Sequence, residues 1–283
     1  MSTRCNQTKQ CKKLWHRLNC RPVTPLSLFM NTTAPGTENH RVKTALRVIE
    51  IIEIFSREQK PLALSELARE LNAPASSCLA LVRTLLSLGY LYETSRRQGY
   101  YPTGRLLAMA QRITKADPVL ERLSPSLREL CAITGETVVL GKLTSLNTVV
   151  YLDVLPSENP IHYVAVAGEQ KEIHANSLGK ALFSALDEPA QLALLDKMSF
   201  TRRNDRTITK REQFLAEIKA GQEKGLFTNL GESMVDVGAI AWPVTVSGGH
   251  FAISIAGPLY RIEANLQNHA QKLRVMCTFI EQH

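Results

Sequence analysis

At 283 residues with 44% hydrophobic side chains, the chain is long enough for two domains and too apolar to be disordered throughout. Its net charge of +8 is unevenly distributed: residues 1–115 hold 18 Lys and Arg against 7 Asp and Glu, whereas residues 116–283 hold 16 against 19. No stretch approaches the roughly 20 apolar residues of a membrane-spanning helix, so we expect a soluble protein without a membrane partner.

The basic excess of residues 1–115 is the distribution that a phosphate-binding surface requires. Release of counterions supplies most of the non-specific affinity of proteins for DNA, so this part of the chain is the candidate for contact with a double helix. An incidentally basic domain is the alternative explanation of the same charge.

Residues 1–40 lack the periodicity of a helix or strand and contain Pro22, Pro25 and Pro35. We therefore expect a flexible basic arm at the start of the chain. The arm either adds weak phosphate contacts or is an extension without a role, and we favour the second alternative.

Three helices are predicted from Thr44 onward, and the last two have the pattern of a helix-turn-helix. The first is a support helix over Thr44–Phe55. The second repeats apolar residues from Leu64 to Leu71 at helical spacing. Asn72-Ala73-Pro74 then interrupts the pattern, because proline is disfavoured inside a helix but suits its first turn. The apolar residues that define the predicted face of the support helix are Ala45, Val48, Ile49, Ile52 and Phe55.

The third helix starts at the Pro74 turn, is stopped by Gly89, and is the predicted recognition helix. Cys78, Leu81 and Val82 recur at helical spacing and are expected to face the core, which turns small polar and methyl side chains outward. In the major groove, side-chain hydroxyl groups can hydrogen-bond to the edges of several different bases, and methyl groups pack against the methyl group of thymine. The candidate DNA-binding residues of this helix are Ala75, Ser76, Ser77, Leu79, Ala80, Arg83 and Thr84.

A β-hairpin wing is predicted after Gly89, because aromatic runs at residues 90–92 and 100–101 flank a polar turn. Arg96 and Arg97 at its tip are candidate contacts to the DNA backbone or minor groove. A solvated basic turn is the alternative. We expect a winged helix-turn-helix domain over residues 41–103, followed by a linker helix over residues 104–116 that could also pack in a dimer.

Residues 117–283 are predicted to form an α+β domain, an antiparallel sheet covered by helices. Its first helix carries leucines from Leu120 to Leu130 and ends at Gly135. The tripeptide Ser247-Gly248-Gly249 indicates a tight hairpin. Strands are expected at Thr137–Leu143, Thr148–Leu155, Ile161–Ala167, Ala239–Val246 and His250–Ala256, and further helices at Ser177–Leu186, Pro189–Met198, Arg211–Lys224 and Leu266–Ile280.

Motifs of enzymes and metal sites are missing from the sequence. Gly179-Lys180 lacks the flanking residues of a phosphate-binding loop, and neither H-E-x-x-H nor G-x-S-x-G occurs. The seven histidines lack ligand spacing, and the six cysteines match no zinc or disulfide pattern. We expect no catalytic residue, no metal ligand, no cofactor, and free thiols in a reducing cytoplasm.

From about residue 41 to its end, the chain resembles the IclR family of bacterial transcriptional regulators. The resemblance implies a winged helix joined by a linker helix to a GAF-like effector-binding domain, assembled as a dimer or tetramer and usually acting as a repressor. It depends on the joint order of several motifs, which are ALRVIEII, LSELARELNAPASS, LLSLGYL, GYYPTGRLLAMA, HANSLGKALFSAL, EKGLFTNLGES, AIAWPV and FAISIAGP.

The recognition helix departs from the family pattern. Where members often have His and Arg, this chain has Leu79 and Ala80. Base contacts at these two positions are therefore apolar or absent, and we expect an operator that differs from those of typical members and is richer in thymine contacts.

The resemblance also implies an effector pocket at the start of the helix in HANSLGKAL. Backbone N–H groups and the positive end of a helix dipole suit an anionic ligand group such as a carboxylate. Asn229 stands where an Asp is common, which favours a more anionic or carbonyl-rich ligand. A closed core that binds nothing is the alternative. The implied effector-binding residues are Ser177, Leu178, Gly179, Asn229, Ala239, Ser254 and Ala256.

Two functions remain open at this point. The first is a ligand-responsive, DNA-binding transcriptional regulator. It would repress a catabolic operon, bind an imperfect palindrome as a dimer or tetramer, and respond to a small organic acid. The second is a GAF-like enzyme that modifies a small molecule and whose N-terminal unit docks a partner protein.

Overall fold

A computed structural model describes residues 42–94 and 99–282 of the chain. The predicted arm at residues 1–40 and the wing residues Arg96 and Arg97 lie outside these ranges. The chain divides into two compact units between Gln111 and Arg112. Across the described ranges, every helix is too short or too polar to cross a lipid bilayer.

The first unit is a winged helix-turn-helix. Helices α1, α2 and α3 are followed by a two-stranded antiparallel hairpin, β1 and β2, and by helix α4, within which the boundary to the second unit falls. The elements are α1 (Lys43–Glu58), α2 (Leu64–Glu70), α3 (Ala75–Ser87), β1 (Leu91–Glu93), β2 (Tyr100–Pro102) and α4 (Arg105–Lys115).

The turn between α2 and α3 follows the local chemistry of the sequence. Asn72 adopts a left-handed φ of 47°, a conformation that Asn tolerates better than most residues. Pro74 immediately precedes α3, at the N-cap. Cys78, Val82 and Leu85 then face the core of the unit, whereas Leu81, also predicted to face inward, is only half-buried.

The apolar face of α1 differs from the prediction. Ile51, Ile54 and Phe55 are the buried residues of this helix, whereas Ala45 and Ile49 are exposed. Val48 is half-buried and packs against the core of the unit, and Ile52 is half-buried. The predicted face was therefore right at Phe55, partly covered at Val48 and Ile52, and wrong at Ala45 and Ile49.

The wing has the predicted pair of strands, with Tyr92 opposite Tyr101. A further antiparallel bridge joins Leu62 to Tyr100, so the segment before α2 pairs with strand β2 at one position. At the base of the hairpin, the Arg105 guanidinium lies 5.0 Å from the Tyr90 ring centre, which links the wing to the start of α4.

The second unit is an α+β domain built on a six-stranded antiparallel sheet, as expected. The strand order is β5-β4-β3-β8-β7-β6. The elements are α5 (Pro118–Thr134), β3 (Thr137–Leu143), β4 (Val149–Leu155), β5 (Gln170–Lys171), α6 (Ser177–Ser184), α7 (Glu188–Leu195), α8 (Arg211–Lys224), β6 (Phe227–Leu230), β7 (Val237–Val246), β8 (Gly249–Pro258), α9 (Leu259–Ala264) and α10 (Leu266–Gln282).

Each face of this sheet has its own apolar core. One core joins alternate residues of β3, β7 and β8 to α5 and α10. The other joins the intervening residues, such as Val139, Ala241 and Ala252, to α6 and α8. Because successive strand side chains point to opposite faces, residues two apart on one strand share a core. This alternation decides which residues can meet α6.

Local signals explain the ends of several elements. Asp117 accepts hydrogen bonds from the Val119 and Leu120 amides at the start of α5, and Gly135 ends the helix with a left-handed φ of 68°. The β7–β8 hairpin turns at Ser247-Gly248, where both residues have positive φ.

The predicted strand at Ile161–Ala167 was wrong. Those residues form an extended segment without strand pairing, and Ile161, Val164 and Val166 are more than 60% exposed. Alternating apolar residues were taken as one covered face of a strand, but strand β5, at Gln170–Lys171, pairs with β4 in place of this segment. Strand β6 and helix α9 were not predicted from the sequence.

Candidate functional site

Helix α3 presents the predicted DNA-binding face. Ala75, Ser76, Ala80, Arg83 and Thr84 are exposed. Ser77 and Leu79 are half-buried, so only part of each side chain is available at the surface. Arg83 is the single charged residue of α3, and no acidic side chain of the helix opposes the approach of phosphate.

Hydrogen bonds within α3 limit what its hydroxyl groups can offer. The Thr84 hydroxyl donates to the Ala80 carbonyl over 3.0 Å, and the Ser87 hydroxyl donates to the Thr84 carbonyl over 2.8 Å. Thr84 is therefore left with oxygen lone pairs and a methyl group as contacts to bases. Pro74 supplies no side-chain cap, so the start of α3 keeps amide groups for an anion such as phosphate.

In the second unit, sheet register places four predicted effector-binding residues on the face that carries α6. Asn229, Ala239 and Ala256 form one row across β6, β7 and β8. Ser254 lies two residues before Ala256 and shares its face. Short side chains along this part of the sheet allow a close approach of α6.

The remaining three predicted residues form the first turn of α6. The Ser177 hydroxyl lies 3.2 Å from that of Ser254, which joins the helix to β8. A Cβ atom on Gly179 would lie 2.4 Å from the Ile173 carbonyl oxygen, so only glycine fits there. Leu178 is 1% exposed, and its amide is capped by the Asn176 side chain over 2.9 Å.

Asn229 has a full set of contacts within the domain. Its side-chain amide donates to the Ala175 carbonyl over 3.1 Å and to the Ser233 hydroxyl over 2.9 Å. Its side-chain carbonyl accepts from the Glu232 amide over 2.9 Å. These bonds tie the turn after β6 to the segment that leads into α6.

A buried ion pair beside this site was not predicted from the sequence. The Lys180 side chain is completely buried, and its ammonium lies 2.6 Å from Glu232, 3.7 Å from Glu217 and 2.8 Å from the Thr228 carbonyl. Burial raises the pKa of Glu232, and the charge of Lys180 opposes that rise. Helical periodicity places a lysine outward, so no local signal indicated this pair.

A second polar contact at the start of α6 was also missed. The Asn176 side-chain amide donates to the Tyr151 hydroxyl over 3.0 Å, and Tyr151 is 4% exposed. Burial raises the pKa of Tyr151 well above its usual value, and the neighbouring Tyr163 hydroxyl adds to the rise. A tyrosine in an apolar strand gave no sequence signal for this contact.

The histidines of the second unit have separate surroundings. His174 is fully buried, and its Nε2 lies 3.0 Å from the Thr201 carbonyl oxygen. Burial lowers the pKa of His174, which keeps the ring neutral at pH 7. His162 contacts the Asn159 carbonyl, and His250 is exposed. In the described parts of the chain, no cluster of three metal-binding side chains occurs.

The predicted effector site is closed in this structure. Ser177, Leu178 and Ser254 are each at most 2% exposed. An open depression of about 680 Å³ lies elsewhere, between α5 and the end of β4, and is lined by Arg128, Asp153 and other residues. None of the predicted effector-binding residues lines it. A ligand would therefore reach the start of α6 only after a local opening.

Known proteins resemble the chain along most of its length. It is 24% identical over 216 residues to the transcriptional regulator KdgR of Dickeya chrysanthemi, covering 76% of this chain and 69% of the relative. A putative transcriptional regulator from Rhodococcus sp. RHA1, RHA06195, shows 25% identity and a TM-score of 0.74, with 86% and 98% of the two chains covered.

A third similar protein is an IclR homologue from Microbacterium hydrocarbonoxydans, solved in complex with 4-hydroxybenzoate. Its TM-score is 0.71 at 21% identity, with 84% of this chain and 98% of that chain covered, so the likeness shows a shared fold.

Two family models account for most of the chain. The model of the IclR helix-turn-helix domain matches residues 44–95. The model of the bacterial transcriptional regulator IclR C-terminal domain matches residues 111–281. The chain therefore belongs to the IclR family of bacterial transcriptional regulators, which are regulators and not enzymes.

Proposed function

We propose that the protein represses a catabolic operon and that a small organic acid controls its binding to the operator. The observation that carries the proposal is the exposed face of α3, which has Arg83 and no acidic residue, in a part of the chain with a strong basic excess. The protein acts in the cytoplasm. The enzyme alternative has no support from the family.

We assign DNA recognition to residues 41–103. Residues 104–116 are the linker helix that follows this domain. A dimer places two recognition helices in successive major grooves about 34 Å apart, so the operator is an imperfect palindrome. A tetramer would bind two such sites. Polar contacts come from Ser76, Ser77, Arg83 and Thr84, and apolar contacts come from Ala75, Leu79 and Ala80. Arg96 and Arg97, which separate the two wing strands in the sequence, add contacts to the backbone or minor groove.

Effector binding is assigned to residues 117–283, at the start of α6. The first-turn amides of Ser177 and Gly179 and the Ser254 hydroxyl suit a carboxylate. Leu178 lies in the same turn, but its amide is already bonded to the Asn176 side chain. Ala239 and Ala256 provide short walls on the sheet. Asn229 contributes by holding the turn after β6 against the segment before α6. The bound 4-hydroxybenzoate of the Microbacterium homologue, which is an organic acid, supports this ligand class.

The effector would change DNA affinity by shifting the protein between two states. A ligand shifts such an equilibrium only when its affinities for the two states differ. The closed site offers that difference, because occupation requires an opening around Ser177 and Ser254 that is not needed in the free protein.

The test is genomic selection of bound DNA fragments, followed by titration of the selected duplex at several salt concentrations. We expect affinity to fall steeply with salt, because phosphate contacts release counterions. Arg83→Ala should weaken operator binding by about 5-fold to 150-fold, the range for loss of an arginine contact. Lys197→Ala removes an exposed positive charge in the second unit and serves as the matched control.

Absence of duplex binding at low ionic strength, with and without organic acids, would contradict the proposed function. If Arg83→Ala and Lys197→Ala weakened operator binding equally, Arg83 would not be part of the DNA interface. The proposal that the protein binds DNA would still stand. A thermal-shift screen of small organic acids against the purified protein then tests the effector class.

A further inference from the structure

The loop between α7 and α8 contacts both sides of the proposed effector site. Residues 199–210, here called the strap, contain neither helix nor strand. The strap contacts the segment that leads into α6 and the turn after β6. Those two neighbours are joined to each other by the Asn229 side chain, which donates to the Ala175 carbonyl over 3.1 Å and accepts from the Glu232 amide. The strap therefore bridges the two segments that flank the start of α6.

On the side of the segment before α6, the strap is held by a backbone carbonyl and an ion pair. The Thr201 carbonyl oxygen lies 3.0 Å from the Nε2 atom of the buried His174. Two residues further along the strap, the Arg203 guanidinium lies 2.9 Å from the Glu172 carboxylate. The Arg203 side chain is 47% exposed, so water replaces much of this ion pair when the two groups separate.

On the side of the turn after β6, three hydrogen bonds from the strap end on two backbone carbonyls. The Asn204 side-chain amide donates to the Gly231 carbonyl over 2.9 Å and to the Glu232 carbonyl over 3.1 Å. The Thr207 hydroxyl donates to the Glu232 carbonyl over 2.7 Å. The Glu232 side chain is also the partner of the buried Lys180 ammonium. The strap thus holds the same turn that the ion pair of α6 positions.

Among the elements around the site, the strap is the one whose opening costs least free energy. The sheet contributes continuous strand pairing at Ser254 and Ala256, and α6 is buried from Ser177 to Phe183. Most residues of the strap are exposed, and its apolar side chains Phe200 and Ile208 are only half-buried. Polar contacts at a surface are exchanged for contacts with water, so segments with few buried apolar contacts open before the core does.

Two residues held by the strap have buried acceptor atoms without a donor. The Nε2 atom of His174 faces the Thr201 carbonyl, which only accepts, so in the neutral ring Nε2 carries the hydrogen and Nδ1 is an acceptor. Among the described residues, neither this Nδ1 atom nor the Oε2 atom of Glu232 has a hydrogen-bond partner. Buried acceptors without donors destabilise the closed arrangement, which lowers the free energy needed to open it.

We infer that the strap is a gate, and that its release from the segment before α6 and from the turn after β6 admits the effector to the start of α6. The inference rests on the proposed function, because it names the moving part that controls access to the same effector site. With the strap in place, Ser177 and Ser254 are each 2% exposed. Opening of the strap exposes both side chains while the core on the other face of the sheet stays folded.

The test measures how often the closed site becomes accessible in the full-length protein, without DNA or ligand. Ser177→Cys places a thiol in the closed site, and Ser254→Cys, across the 3.2 Å contact between the two hydroxyls, provides a second labelling position. Alkylation by N-ethylmaleimide is followed by mass spectrometry of the individual peptides. Native Cys277 is completely buried in the core on the other face of the sheet, so its alkylation in the same samples measures global unfolding.

Asn204→Ala removes two of the hydrogen bonds that hold the strap. It should raise the alkylation rate at positions 177 and 254 by about fivefold or more, the factor for two net hydrogen bonds, without a change at Cys277. Arg203→Ala removes the exposed ion pair and should give a smaller increase. Asp205→Ala is the matched control, because the ion pair of Asp205 is with Arg202 of the same strap, and it should leave the rates unchanged.

Unchanged alkylation at both positions in Asn204→Ala overturns the gate. An equal increase at Cys277 also overturns it, because unfolding of the whole domain would then expose the thiols. An increase in Asp205→Ala as large as that in Asn204→Ala overturns the role of the holding contacts. The result does not depend on the effector class, since no ligand is present. Alkylation that fails to respond leaves the organic-acid proposal to the thermal-shift screen, and a screen without a hit leaves the gate to the alkylation rates.

Discussion

Lys180 shows how a single buried charge can hold a functional region together. Its ammonium contacts α8 through Glu217, β6 through the Thr228 carbonyl, and the turn after β6 through Glu232. Removing a charge from water is costly, and close opposite charge with a hydrogen-bonded carbonyl offsets that cost. The same turn carries Asn229, so the ion pair and the amide contacts together position the proposed effector site.

At this scale we predict that Lys180→Met lowers the free energy of unfolding by about 3–5 kcal/mol, because Glu232 is left as an unpaired buried charge. Chemical denaturation measures the change. Lys219→Met, on the exposed face of α8, is the matched control and should stay within about 0.5 kcal/mol of wild type.

The deficit of Lys180→Met should depend on pH. Burial raises the pKa of Glu232 above 4.5, and loss of Lys180 raises it further. Between the unfolded pKa and the raised folded pKa, the folded state binds more protons, so stability falls as pH increases through that window. The deficit is consequently smallest under acidic conditions and largest above the raised pKa. A deficit independent of pH would show that Glu232 does not carry the effect.

At the scale of elements, α3 occupies the usual place of a recognition helix in a helix-turn-helix, but its exposed side chains differ from those that family members often have. The two positions where family members often have His and Arg hold Leu79, which is half-buried, and Ala80, which is exposed. Thr84 uses its hydroxyl hydrogen inside the helix. The surface of this helix therefore offers one cation, small hydroxyls and methyl groups to the bases.

We predict that Ala80→Ser changes the base preference at one position in each half of the operator, away from thymine, since a methyl contact becomes a hydroxyl contact. Selection from a randomised duplex library measures the preference. Ser56→Ala, an exposed change on α1, is the control. An identical selected site for wild type and Ala80→Ser would mean that Ala80 does not contact a base.

At the scale of the whole molecule, the two units have different charges and different tasks. The basic first unit carries the recognition helix, and the second unit, whose charge is close to neutral, carries the proposed effector site. Regulation requires that binding at one site change the free energy of binding at the other. Such coupling is reciprocal, so it can be measured from either ligand.

We predict that an effector found by the thermal-shift screen weakens operator binding by about 5-fold to 150-fold, the usual range of allosteric coupling. Saturation with operator duplex should weaken effector binding by the same factor. Fluorescence anisotropy gives the first affinity and calorimetry gives the second. A scrambled duplex is the control. Operator affinity that is identical with and without a bound effector would contradict ligand control of the repressor.

Local sequence chemistry determined many elements of this protein. The bounds of β3 and α8 match the prediction, and α5 was predicted from its leucines, Leu120 to Leu130, with its end at Gly135. Apolar periodicity together with caps specifies such elements because both act within a few residues. The order of motifs along the chain was sufficient for the family and for the α+β class.

Only the tertiary structure decided which groups meet across the fold. The segment at Ile161–Ala167 has the alternation of a strand, yet no neighbouring strand supplies its hydrogen bonds. Lys180 and Glu232 are 52 residues apart, and Asn176 and Tyr151 are 25 apart. Periodicity describes the faces of one element, whereas a buried ion pair or a buried hydrogen bond between side chains depends on partners that distant segments bring together.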